Sequence, residues 1–326
     1  MEENTVFALE PAKKAYNRMG FGLFTIAAVT TVLQGVLAAL AMPLLSDRPE
    51  LLLLVTFAPL YLIGVPAGLL IMRKAPREAA PDSKLGVGNF FVFLLMCFPL
   101  MYGGNLIGTL LSSLLTNGSA QNPLNIIAFN DSPIRILVLV VLAPLVEEFI
   151  FRKQLIDRTV RYGEKTAILF SALCFGLFHM NLFQFFYAFA LGLLFAYIYT
   201  RTRRLRYSLL MHMIVNFLGS VLAPYLLSRM GESTLEQLTS GQIDPEAMAS
   251  LLPQVGGFIL YAFCLVGFSI AGLVLLIVKA PKLVFRSSEQ ELPKGQAFRC
   301  VYLRPGVILF VVFCILACIL SLVGLG

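Results

Sequence analysis

The sequence predicts an all-α fold: a polytopic bundle of transmembrane helices. Of the 326 residues, 58% are hydrophobic and only 13% are charged, whereas soluble domains carry about 25% charged residues. The mean hydropathy is +0.84, and apolar segments of about 18 or more residues recur along the chain. The alternating pattern of a membrane β-barrel is missing from the sequence. Helices, which satisfy their own backbone hydrogen bonds in lipid, are therefore expected.

The apolar segments predict about nine spans in a single membrane domain, residues 1–326. Most of them are long enough for a hydrocarbon core of about 30 Å, but the fifth is short. The third is long, and we expect it to tilt, to kink at Pro99 or to break at Gly103–Gly104. In chain order the segments are 21–45, 51–72, 86–115, 133–156, 166–180, 182–200, 207–227, 255–279 and 306–326.

The basic residues predict the orientation of these spans. With the N-terminus inside, 22 of the 25 Lys and Arg residues fall on the cytoplasmic side, and only Arg48, Arg135 and Arg229 fall outside. The positive-inside rule therefore favours a chain whose N-terminus is inside and whose C-terminus is outside. We interpret the net charge of +7 as cytoplasmic anchoring to anionic lipid and not as a nucleic-acid surface.

The first apolar segment has two interpretations. It follows the basic residues Lys13, Lys14 and Arg18 and ends in Ala39-Leu40-Ala41, which is similar to a signal-peptidase site. Its apolar run of about 20 residues exceeds the usual 7–15 of a signal peptide, so we expect an uncleaved first helix. Both interpretations place the N-terminus inside.

Five polar residues interrupt the apolar segments in the middle of the chain: Glu147, Glu148, His179, His212 and Asn216. The chain contains only these two histidines. An ionisable group at membrane depth costs several kcal/mol, so such a group indicates a functional site by default. His212 and Asn216 are four residues apart and share a helix face.

The two adjacent glutamates have different expected roles. Glu148 is a candidate catalytic residue together with Glu147, but Glu148 and Arg152 also have the i, i+4 order of a favourable intrahelical ion pair, which could be structural. Adjacent helical residues point about 100° apart, so Glu147 cannot share that pair and needs another role. A single histidine within the membrane often makes only an interhelical hydrogen bond. Such a bond does not explain two histidines, two glutamates and an asparagine together.

The heights of the polar groups also raise a question. At 1.5 Å per residue, Glu147 and His212 lie about 8–9 Å along their helices from the basic residues at the cytoplasmic ends of their spans. His179 lies about 20 Å from the basic residue at the cytoplasmic end of its span. Either the fifth helix starts outside the membrane, or the fourth extends past Arg152 into the cytoplasm. Both arrangements would bring the groups to one level.

These residue types indicate hydrolysis. A carboxylate beside a neutral imidazole can hold and deprotonate water, and His with Asn can donate hydrogen bonds to an oxyanion. No Ser or Cys is placed by its spacing beside either His, so a nucleophilic triad lacks support. Glu147, His179 and His212 can instead bind Zn²⁺, although the HExxH motif is missing. We expect no cofactor, with zinc as the alternative.

The motifs, taken in order, resemble those of the CPBP family of intramembrane proteases. This family includes the type II CAAX prenyl endopeptidases (Rce1-like) and the bacterial Abi proteins. The resemblance covers about residues 130–220, the expected catalytic core, and the three motifs are Glu147-Glu148-x-x-x-Arg152, Phe175-x-x-x-His179 and His212-x-x-x-Asn216.

The resemblance implies a membrane-embedded endopeptidase. Glu147 and His179 would hold the attacking water, and His212 and Asn216 would form the oxyanion site. Many members of the family are described as metalloproteases, yet a glutamate-activated water suits these side chains without a metal. The implied substrate is a membrane-associated protein or peptide, prenylated or otherwise lipophilic, and a bacterial member would lie in the plasma membrane.

Two other classes of function are alternatives. A proton-coupled transporter could use Glu147 and the histidines as a relay; inverted repeats would be expected, and none is visible in the sequence. A catalytically silent membrane scaffold or immunity protein could keep the motifs for helix packing. The expected partners are the lipid bilayer and the peptide substrate, and no nucleic acid.

Overall fold

The computed structural model describes residues 2–45, 51–78, 82–123, 134–229, 245–288 and 290–324. Within these ranges the regular structure is helical and contains no strand, which confirms the predicted all-α class. We label the helices α1 (Glu2–Leu45), α2 (Leu51–Met72), α3 (Val87–Thr116), α4 (134–162), α5 (Glu164–Phe178), α6 (Leu182–Thr202), α7 (Leu205–Ser228), α8 (Pro245–Lys279), α9 (Ala297–Val301) and α10 (Pro305–Leu322).

Seven of the described helices contain a segment long and apolar enough to cross a membrane: α1, α2, α3, α6, α7, α8 and α10. The protein is therefore a multi-pass membrane protein, as the composition predicts. The other two predicted spans correspond to α4, which carries several charged residues, and to α5, which has only 15 residues. The count of nine crossings stays a prediction.

The described residues contain four widened turns, with backbone hydrogen bonds of the i→i+5 type, and three of them end two residues before a proline. Proline lacks an N–H, and its ring clashes with the carbonyl one turn earlier, so a wider turn relieves the clash. Pro144 places such a turn just before Glu147. The three turns are Leu60–Gly64 before Pro66, Leu137–Leu142 before Pro144, and Leu218–Leu222 before Pro224.

The fourth helix extends well beyond its predicted end. α4 continues through Tyr162, so Arg152 lies inside the helix and not at its cytoplasmic end. Arg152 is also fully buried, although the charge count placed it among the cytoplasmic residues. This extension agrees with the second of the two arrangements expected for the heights of the polar groups, and the depth of α4 and α5 in the membrane stays a prediction.

The third helix is continuous, so the expected break at Gly103–Gly104 does not occur. Gly104 and Gly108 instead let α3 lie directly against α6. A methyl group added at Gly104 would lie 2.5 Å from the backbone of Tyr187, and one at Gly108 would lie 2.6 Å from the carbonyl oxygen of Leu182. Small residues four apart allow this close approach of two membrane helices.

The helices differ in how deeply they are buried. α6 packs against α3 and α5, and half of its apolar segment is buried. In the 18-residue apolar window of the segment Val255–Lys282, which includes most of α8, only 6% is buried, so its apolar side chains face outward as lipid-exposed side chains do. α1 packs against α10, where the N–H of Gly306 donates to Asn17 Oδ1 at 2.9 Å.

Polar connections predicted to lie on one side of the membrane meet at one end of the bundle. The backbone N–H groups of Glu78, Ser83 and Leu292 donate to the carbonyl oxygens of Asp157, Thr202 and Tyr162, at 2.7, 3.0 and 3.1 Å. These bonds join the connections that follow α2 and α8 to the C-terminal ends of α4 and α6. Connections in contact lie on the same side, as the charge distribution requires, and the assignment of that side to the cytoplasm stays a prediction.

Candidate functional site

Four of the predicted site residues line one cavity of about 710 Å³. Glu147 comes from α4, His179 follows the last residue of α5, and His212 and Asn216 come from α7. The cavity lies between these helices, α6, and the N-terminal helices α1 and α2. Packing thus brings together groups that are far apart in the sequence.

Glu148 and Arg152 form an ion pair behind the cavity wall, and both side chains are fully buried. Nε and Nη2 of Arg152 donate to the two Glu148 carboxylate oxygens at 3.1 and 3.2 Å. Nη1 donates to Ser171 Oγ at 3.1 Å, and that hydroxyl donates to the Phe151 carbonyl at 2.7 Å. The guanidinium carbon lies 4.8 Å from the centroid of the Phe175 ring. A buried pair needs such additional partners to offset its desolvation.

The two glutamates face different surroundings. Glu147 lines the cavity and exposes 19% of its side chain, whereas Glu148 is 0% exposed and is not part of the cavity wall. A molecule bound in the cavity therefore meets Glu147 and not Glu148. The sequence grouped both glutamates with the catalytic residues, and the geometry separates them.

His212 connects the buried ion pair to the cavity. Its Nδ1 lies 3.2 Å from Glu148 Oε1, and its Nε2 lies 3.5 Å from Glu147 Oε2. The rings of Phe175 and Phe195 pack against the imidazole, with centroids 5.7 and 5.6 Å away. Each ring nitrogen thus lies within 3.5 Å of a carboxylate oxygen, and the oxyanion role expected of His212 stays a prediction.

His179 is held by its own helix. Its Nδ1 lies 2.9 Å from the Phe175 carbonyl, which can only accept, so Nδ1 donates and Nε2 of the neutral ring is an acceptor. The next residue, Met180, has a left-handed backbone with φ of 51°. Asn181 then caps the N-terminus of α6. This tight turn fixes His179 at the cavity wall.

Asn216 lies one helical turn after His212. Its Nδ2 donates to the Leu139 carbonyl at 2.9 Å, and Leu139 belongs to the widened turn of α4. The bond uses one of the two amide hydrogens and fixes the side chain beside the cavity. α4 and α7 are thus joined at both His212 and Asn216.

The sequence did not single out several polar residues of the site. Ser171 lies two turns before His179 on the same face of α5. That spacing is the one feature of the sequence that could have indicated a role for Ser171 in the site. Asn181, Gln184 and Tyr187 line the cavity from the start of α6. Thr30, Thr31, Gln34 and Thr56 line it from α1 and α2, outside the motif-bearing segment. Nothing in the pattern of α1 and α2 indicates this role, because it depends on packing against distant helices.

The candidate zinc ligands have suitable chemistry but not a suitable arrangement. Glu147, His179 and His212 offer the N and O donors that zinc takes. Across the ranges that the structure describes, however, no three His, Cys, Asp or Glu side chains converge as a metal ion requires. The residues as arranged do not fit a bound zinc ion.

Comparison with known proteins adds one match. Residues 129–218 match the family model described as "Type II CAAX prenyl endopeptidase Rce1-like". The matched segment contains all the site residues predicted from the sequence, and it confirms the resemblance found from the motifs. It supports a CAAX-type intramembrane endopeptidase. No curated protein matches the chain, and no solved structure matches it.

Proposed function

From the match of residues 129–218 to the Rce1-like family model, we propose that this protein is an intramembrane endopeptidase. It hydrolyses a peptide bond of a membrane-associated substrate, prenylated or otherwise lipophilic. The proposal depends on one observation above all: Glu147, His179 and Asn216 line a single cavity between membrane helices. A base, an acceptor for water and an amide donor are the groups that hydrolysis without a covalent intermediate uses.

Glu147 is the proposed general base, because it is the carboxylate that faces the cavity. Water held between Glu147 and Nε2 of His179 adds its oxygen to the scissile carbonyl carbon and passes a proton to Glu147. The π electron pair of the carbonyl moves onto its oxygen. When the intermediate collapses, the C–N bond breaks and Glu147 returns the proton to the leaving nitrogen, which becomes an amine. The added oxygen keeps the second proton of the water, so the other product is a carboxylic acid, which then loses that proton to solvent.

Glu148, Arg152 and His212 act as positioning residues in this proposal. The bidentate ion pair fixes Glu148 Oε1 beside His212 Nδ1. His212 in turn lies against Glu147. A carboxylate that orients an imidazole fixes its tautomer and its direction, and here the oriented imidazole would hold the general base in place.

The proposal is tested by comparing the peptides released from membranes that contain wild-type protein with those from membranes that contain Glu147→Gln. We expect the substitution to abolish release, because the amide cannot take a proton from water. Glu291→Gln, the same chemical change at an exposed position outside the cavity, should behave like wild type. Identical peptides from wild-type and Glu147→Gln membranes would exclude the protease and favour a transporter or a scaffold.

Metal depletion, in the same assay, separates the two ways of activating water. Zinc activates water by its own charge, so a chelator would stop a zinc enzyme and added zinc would restore it. We propose a metal-free site and expect full activity after dialysis against a strong chelator, with no stoichiometric zinc by elemental analysis. One zinc per chain, lost with activity in His179→Ala and His212→Ala, would replace the metal-free mechanism and leave the protease proposal in place.

A further inference from the structure

Three polar side chains at the start of α6 form a hydrogen-bonded chain inside the cavity. Asn181, Gln184 and Tyr187 are spaced by three residues, so each side chain is a neighbour of the next along the helix surface. All three line the cavity that contains Glu147. The mechanism proposed above uses none of them.

One backbone group fixes the direction of every bond in this chain. The N–H of Gln184 can only donate, so the Asn181 atom that faces it at 3.2 Å is Oδ1. Asn181 Nδ2 therefore faces the Gln184 side chain and donates to its Oε1. Gln184 is then left with Nε2 toward Tyr187, and it donates to the hydroxyl oxygen at 2.8 Å. The two amide orientations, which are ambiguous when taken singly, are determined together.

The Tyr187 hydroxyl thus accepts a hydrogen bond and keeps its own hydrogen for another acceptor. In the part of the chain that the structure describes, no acceptor lies within hydrogen-bond distance of this hydroxyl hydrogen. Because Tyr187 lines the cavity, a bound molecule can supply the acceptor. A hydroxyl that already accepts a hydrogen bond is polarised into a better donor.

The proposed reaction needs such a donor. Both nitrogens of His212 face carboxylates, and Asn216 already uses one amide hydrogen for the Leu139 carbonyl. We infer that Tyr187 is a further catalytic residue, whose O–H donates a hydrogen bond to the scissile carbonyl oxygen as it becomes an oxyanion. The phenol keeps its proton throughout. This inference rests on the proposed function, because it assigns a donor within that reaction.

Gln184 is the positioning residue of the pair, and it offers a selective variant. In Gln184→Glu, at about pH 8 where a glutamate side chain is ionised, both side-chain oxygens are acceptors. The carboxylate still accepts from Asn181, but it takes the Tyr187 hydrogen and cannot donate to the phenol. The contact is kept with its direction reversed, and the free O–H is lost.

The test measures kcat and KM on a synthetic peptide made from a sequence that wild-type membranes cleave. Tyr187→Phe and Gln184→Glu should each lower kcat by about 10²-fold with little change in KM, because the lost bond forms only in the transition state. The matched control is Tyr261→Phe, which removes a hydroxyl bonded to the Leu218 carbonyl outside the cavity. It should keep the wild-type kcat.

Each other outcome has a defined meaning. Wild-type kcat in Tyr187→Phe would overturn the inference, while an inactive Glu147→Gln in the same assay would keep the proposed function. A loss in Tyr187→Phe but not in Gln184→Glu would also overturn it, because the Gln184–Tyr187 contact itself, and not the free O–H, would then matter. Equal cleavage by wild type and Glu147→Gln would remove the proposed function and the inference with it.

Discussion

Two buried charges support the site at the scale of single residues. Glu148 and Arg152 are both 0% exposed, and removing a charge from water costs several kcal/mol. The bidentate bonds, the Ser171 hydroxyl and the Phe175 ring offset that cost. The arrangement is stable only as a set, because the loss of one charge leaves the other unpaired in an apolar interior.

This dependence predicts the effect of Arg152→Ala. The substitution leaves Glu148 unpaired and should lower the free energy of unfolding by about 3–5 kcal/mol, measured as thermal unfolding in detergent. The double variant Glu148→Gln/Arg152→Gln should recover part of the loss, because neither charge remains. Lys13→Ala, which breaks the exposed Lys13–Glu10 pair, should have no measurable effect. Equal melting temperatures for all of these proteins would contradict the structural role of the buried pair.

At the scale of helices, the contact between α3 and α6 positions one wall of the cavity. Gly104 faces the backbone of Tyr187, while its neighbour Gly103 is exposed and has open space where a side chain would go. Two adjacent glycines of the same helix thus have opposite surroundings. Any change that separates α3 from α6 also moves Tyr187 and the side chains bonded to it.

Gly104→Ala should therefore destabilise the protein. The added methyl group would lie 2.5 Å from the Tyr187 backbone, and such overpacking costs about 1–3 kcal/mol, more than the gain of up to about 1 kcal/mol from alanine's helix propensity. Thermal unfolding in detergent should show the loss, and peptide cleavage should fall with it.

Gly103→Ala is the matched control for this experiment. Its methyl group meets no atom within 4 Å, so only the favourable helix propensity remains, and stability should stay the same or rise slightly. If the two alanine variants unfolded at the same temperature, the close approach of α3 and α6 would not be needed.

At the scale of the whole molecule, the contacts among the polar connections set the direction of the helices. The ends of α2, α4 and α6 meet at one face of the bundle, where Glu78 contacts Asp157 and Arg158 Nε donates to the Met72 carbonyl at 3.0 Å. Helices whose C-terminal ends lie together run in the same direction. α4 therefore runs parallel to α2 and α6, as the predicted nine crossings require.

The predicted topology is tested with reporters. With the N-terminus inside and nine crossings, a reporter fused after Gly326 should be found on the outer side. A second reporter, inserted in the connection between α8 and α9, should be found in the cytoplasm, because that connection contacts the other basic ones. Cytoplasmic activity of the C-terminal reporter would show that one crossing is miscounted.

The sequence by itself determined the fold class and the motif residues from which the site was predicted. Apolar composition and the cost of an intramembrane charge are local properties, and the Glu148–Arg152 pair needs only one helix. Only the tertiary structure decided that Glu147 faces the cavity, that His212 lies between two carboxylates and that Tyr187 keeps a free O–H. Helical periodicity fixes the angle between neighbouring side chains, but the rotation of each helix is set by the helices packed against it.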